Sequence, residues 1–170
     1  MNTLRGLAAA AAVAVALVLQ VSLFPHLAWD GIVPNLCLLV VVAAGLARGP
    51  QLGTVLGFAA GVALDLAPPA DHVAGRWALA LLVVGYVAGR VRQDARPSVG
   101  TVVATVAASS FVGTSIYALT GLVLQDHALG TGDLLQVILV GVLWDLLLTP
   151  LVLPPVMAMF RHLQPDRTLA

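Results

Sequence analysis

"IVPNLCLLVVVAAGLARGPQLGTVLGFAAGVALDLA", Ile32 to Ala67, holds two apolar runs divided by Arg48, Gly49 and Pro50, and its only charges are Arg48 and Asp65. Backbone polar groups in hydrocarbon must bond within their own segment, so runs of this composition are helices. Each is close to the roughly 17 to 25 residues of a crossing. A basic residue, a glycine and a proline between them are stop and start signals, so the stretch predicts a hairpin of two membrane helices. In the second run Gly49, Gly53, Gly57, Gly61 and Asp65 recur at every fourth position. Such a ladder lets a neighbouring backbone approach closely, and it predicts that this third helix is central. A similar stripe of Thr101, Thr105, Ser109 and Gly113, and a short one of Gly85 and Gly89, read as packing faces.

The whole chain repeats this character. Of its 170 residues 60% are hydrophobic and 9% charged, and the mean hydropathy is +1.01. Those values belong to an all-α polytopic membrane protein forming one domain over 1–170, with room for five or six crossings. Every basic residue is Arg and every acidic one Asp, and the formal net charge is zero. No overall field therefore favours nucleic acid or an acidic substrate. Cys37 is the lone cysteine, which excludes an internal disulfide and a cysteine metal cluster.

Working outward, apolar runs predict six spans, at about 4–23, 32–47, 51–67, 73–89, 99–124 and 134–160. The first has the basic start of a signal peptide, but no clean small-residue cleavage site follows, so it reads as a retained helix. Alternating from an inner N-terminus, Arg5, Arg48, Arg90, Arg92, Arg96, Arg161 and Arg167 fall on the cytoplasmic side and only Arg76 outside. That bias places both termini in the cytoplasm. The fourth span is short and needs Arg76, which is expected to snorkel to the outer interface. Pro150, Pro154 and Pro155 predict a kink or break in the last span.

Two hexapeptides, "GVALDL" (61–66) and "GVLWDL" (141–146), each carry an aspartate. Asp65 lies about 21 Å along its helix, where water or Arg76 is in reach, whereas Asp145 lies about 16 Å deep, near the middle of a core about 30 Å thick. An acid there is expected to be protonated or to face a polar cavity. Its structural reading is a hydrogen-bonded carboxyl that holds a neighbouring helix end; its functional reading is an ion or proton site. The matching motifs are also the pattern that two three-helix halves related by inversion would leave.

No Walker motif, nucleotide-binding glycine loop, HExxH pair or GxSxG elbow occurs, so the expectation is a non-enzyme without metal or cofactor. His26, His72 and His127 fall in outer loops without ligand spacing.

With Pro34 and Asn35, then Gly53, Gly57 and Phe58, Gly61 and Asp65, followed by Gly75, "GYVAGR" from Gly85 and "DLLLTPLVLP" from Asp145, the chain resembles the bacterial MreD family of rod-shape-determining proteins. The resemblance implies a non-enzymatic scaffold subunit in the bacterial cytoplasmic membrane, serving cell shape and peptidoglycan synthesis. It implies as partners an MreC-like single-pass protein and the glycosyltransferase and transpeptidase of elongation. It implies a fold similar to the substrate-binding subunits of vitamin transporters. It assigns no catalytic residue, and it gives Asp65, the one polar residue that matches a family motif, a structural or interfacial role; Asp145, Gly53, Gly57, Gly61, Arg76, Pro34 and Asn35 are further structural or partner-interface candidates. The alternative is a small-molecule-capture or transport subunit, with Asp145 and the hydroxyl stripe of the fifth helix lining a cavity. A carboxyl held by backbone and side chains separates the first reading from the second, which needs an open polar site.

Overall fold

In the computed structural model the hairpin is formed by helices α2 (Leu36–Arg48) and α3 (Pro50–Leu66), joined at Gly49. Gly49 has φ 92°, a left-handed value that only glycine takes cheaply, and Pro50 then opens α3 with its φ preset and no donor to satisfy. The structure describes residues 3–29, 31–68, 73–91, 97–124 and 131–162. Around the hairpin stand α1 (Thr3–Ser22), α4 (Arg76–Val91), α5 (Val99–Val123) and α6 (Thr131–His162). A 3₁₀ turn, Phe24–Leu27, follows α1. Among the described residues there is no β-strand, only an isolated bridge between Trp29 and Ile32.

The helices lie on the apolar runs, with ends shifted by no more than four residues. The largest shift is at α2, which starts at Leu36 and not at Ile32. Pro34 brings no N–H, and Asn35 then caps the helix by accepting from the Leu38 amide at 2.9 Å. By length and composition α5 and the stretch Leu134–His162 of α6 are long and apolar enough to cross a membrane. Gly6–Ser22, Leu36–Arg48 and Pro50–Leu66 are apolar but shorter.

The centre of the bundle is α2, not α3. Every residue from Leu36 to Ala47 is buried, and α2 packs against all five other helices. A helix that is apolar all round belongs inside. By contrast, α3 buries its glycine face and leaves Val55 and Phe58 exposed. Its glycines are spent on one neighbour. A Cβ on Gly53 would meet the carbonyl oxygen of Gly85, one on Gly57 that of Leu81, and one on Gly61 that of Trp77. Each four-residue step along α3 thus meets a four-residue step back along α4, and Gly89 closes the series against Pro50. The ladder stays in contact throughout because a partner following the i, i+4 ridge, which is inclined to the helix axis, tracks its drift.

Of the expected kink or break in the last helix, the break does not occur: the helix runs continuously through Pro150, Pro154 and Pro155. The hydroxyl of Thr149, just before Pro150, donates back to the Asp145 carbonyl at 2.7 Å and so satisfies itself within the helix. Arg48, at the end of α2, donates to the Phe160 carbonyl at 3.3 Å and ties the finish of α2 to that of α6.

Candidate functional site

The register of α3 on α4 places the first carboxylate. One step beyond Gly61, Asp65 passes the start of α4 and meets amides that have no acceptor within their own helix. It accepts from Gly75 N at 2.8 Å, Ala78 N at 3.0 Å and Trp77 N at 3.1 Å. Gly75, with φ 103°, has no side chain to cap the helix, so the cap comes across from α3. Asp65 is 3% exposed, and a negative charge at a helix start also complements its dipole.

Arg76 does not snorkel. It is 6% exposed, and its guanidinium donates to the Tyr117 carbonyl from Nη2 at 2.8 Å and from Nε at 3.2 Å. Its Cζ lies 3.9 Å from the centre of the Tyr117 ring, against which Trp77 also stacks at 4.3 Å. A Cβ at Gly121 would occupy the place of the guanidinium, so that glycine is what lets Arg76 reach α5. A carbonyl acceptor and an aromatic face within the bundle offset the loss of water.

The second carboxylate does the same work for another helix. Asp145, 2% exposed, accepts from Asn35 N at 2.8 Å on one oxygen and from Ser110 Oγ at 2.6 Å on the other. Gln20 of α1 accepts from Cys37 N, two residues further on, at 3.2 Å. The start of α2 is therefore held by α1, α6 and its own Asn35, while Pro34 beside it is fully buried. Asn35 is 8% exposed and Cys37 fully buried, so the amides at the start of α2 need partners that water cannot supply. A cavity of 310 Å³, lined by Gln20, Ile32, Asn35, Trp77, Thr114, Tyr117 and Asp145 among others, adjoins this cluster.

The expected site residues thus fall into two clusters and one interface. Asp65 and Arg76 stand at the start of α4, Asp145 with Pro34 and Asn35 at the start of α2, and Gly53, Gly57 and Gly61 lock α3 to α4. His72 and His127, with Arg92, Arg96 and Arg167, lie outside the described residues. Under an inversion of three-helix halves Asp145 would meet the start of α1; it meets α2, so the motif repeat is not matched by a repeat of partners. Sequence reasoning passed over Gln20, Ser110, Tyr117 and Gly121. Gln20 carried a signal, as an amide late in an otherwise apolar run. Ser110 was hidden beside Ser109, the member of the expected stripe.

The Asp145 cluster predicts a graded response. Ser110→Ala removes one of two donors and is expected to cost about 1–2 kcal/mol, while Asp145→Leu also orphans the Asn35 amide and costs more. Detergent melting temperatures of the two variants, ranked against the unaltered protein, check the order.

Among known proteins, residues 2–161 match the family model of the rod shape-determining protein MreD. No curated protein and no solved structure matches the chain.

Proposed function

The chain belongs to the MreD family, and from that premise we propose that it is a non-enzymatic scaffold subunit of the cell-shape and peptidoglycan-synthesis machinery. In this reading it forms one domain in the bacterial cytoplasmic membrane. It crosses six times with both termini in the cytoplasm, and it binds an MreC-like single-pass protein and, more weakly, the elongation synthases. The arginine bias supports that orientation, and Arg76, the one exception, is occupied with a carbonyl inside the bundle.

The observation that carries the scaffold reading is the division of α6. One face buries Asp145, Thr149, Leu153, Met157 and Phe160. Another presents Leu135, Leu139, Leu143, Leu147 and Leu151 as a ridge at four-residue spacing, each 60% exposed or more. The buried polar groups hold helix starts, which makes the bundle a fixed body, and the leucine ridge is a continuous surface against which a partner helix packs. Asp145 is engaged by backbone and hydroxyl donors, which favours the scaffold over small-molecule capture.

A photocrosslinking residue at Leu143 or Leu147, in cells carrying an affinity tag on the C-terminus, tests this. The expected result is capture of a single-pass, outward-extending membrane protein together with cell-wall synthases. Capture of a transporter's coupling subunit and its ATPases would replace the scaffold reading with transport.

A further inference from the structure

Between α5 and α6, at the end where α5 begins and α6 finishes, runs a groove of 670 Å³. Val102 and Val103 form one wall and Leu146, Leu153 and Met157 the other. It is open because α6 places Pro150, Pro154 and Ala158 along it, side chains that stay close to their own backbone. Among the described residues its lining contains a single charge, Arg161, at the α6 end, and no acid. Arg161 is exposed and makes no hydrogen bond or ion pair among the described residues. Pro97 and Val99 line the groove too, so the first turn of α5 stands at the same end. Ser98 there caps the helix by accepting from the Thr101 amide at 3.1 Å, and the positive end of the helix dipole lies at this end of the groove.

The length of the groove selects its occupant. Short of the Arg161 end, the stretch from Leu146 to Met157 covers about 16 Å, roughly half of a hydrocarbon core about 30 Å thick. A partner's transmembrane helix needs a channel through both leaflets; an acyl chain needs one. The basic end then demands a negative headgroup. We propose that this groove binds one anionic phospholipid, its acyl chain laid along α6 and its phosphate at Arg161. The inference rests on the multi-pass reading above but not on the identity of any protein partner.

Native mass spectrometry of the purified protein, offered equal amounts of phosphatidylglycerol and phosphatidylcholine, tests it. The expected first lipid retained is phosphatidylglycerol, by about fivefold, the factor one basic residue contributes near an anionic headgroup. Arg161→Gln is expected to bring the two lipids to parity, Arg161→Lys to keep most of the preference, and Ala158→Phe to reduce retention of both. Parity in the unaltered protein would overturn the proposal, as would a preference unchanged in Arg161→Gln. Displacement of the bound species by inorganic phosphate alone would mean an anion site without a lipid. Loss of a dimer in Ala158→Phe would mean that a second copy fills the groove. Should Ala158→Phe fail to fold, the exposed Arg161 variants still decide the matter.

Discussion

Gly57→Leu is expected to separate α3 from α4 and to cost the protein most of its folded yield. A Cβ at Gly57 would already overlap the carbonyl oxygen and carbon of Leu81, and these are backbone atoms that cannot turn aside. The helices can accept a larger residue only by moving apart, and doing so loosens the neighbouring contacts at Gly53 and Gly61 together. Overpacking in a well-filled core usually costs about 1–3 kcal/mol, and a clash against backbone belongs at or above the top of that range. In the membrane the close approach of glycine faces is itself a main source of helix association, so little else compensates. Gly57→Ala should be destabilised in the same direction, by less. Gly100→Ala is the control, because its Cβ would meet only Ser98 Oγ, at an ordinary 3.8 Å, and alanine is the better helix former by about 1 kcal/mol. The measurement is detergent-solubilised yield and melting temperature. A Gly57→Leu protein that melts with the unaltered one would show that α3 and α4 do not meet along the ladder.

The second large effect is expected at Asp65. Asp65→Ala leaves the amides of Gly75, Trp77 and Ala78 without their acceptor at a site only 3% exposed. An orphaned buried donor costs about 1–3 kcal/mol, and the three are adjacent, so a combined loss of about 3–5 kcal/mol is expected. Asp65→Asn keeps one acceptor oxygen but turns an N–H₂ group toward other donors, so its loss should be intermediate. The start of α4 also carries Arg76 and Trp77 to Tyr117, so the damage should spread to the contact with α5. Hydrogen exchange of residues 75–80 and the melting temperature read this directly. Equal protection in Asp65→Ala and the unaltered protein would remove the capping role.

The polar groups show where sequence reasoning stops. Asp65 and Asp145 stood out because each interrupts an apolar helix, and the cost of such a group guaranteed that it had a partner. For Asp65 the sequence offers water or Arg76 as partners, and what it could not show is the cap, the amides of Gly75, Trp77 and Ala78. Arg76 itself was expected in water, because a sequence shows the length of an arginine but not a carbonyl waiting on another helix. In α3 the glycine ladder marks a close-packing face but not the centre of the bundle. A single small-residue face needs one neighbour, whereas the uniformly apolar α2 needs them on every side.

Composition and periodicity by themselves determined that this chain is an all-helical membrane protein, where its helices lie to within a few residues, and that its glycines would meet another backbone. Those properties follow from local rules, since hydrocarbon forces each segment to satisfy its own hydrogen bonds. Only the tertiary structure decided which helix occupies the centre, that Asp145 reaches an amide 110 residues away at Asn35, and that Ser110 and not Ser109 meets it. Periodicity fixes the face a side chain presents, but not which neighbour lies against that face or where along its length that neighbour begins.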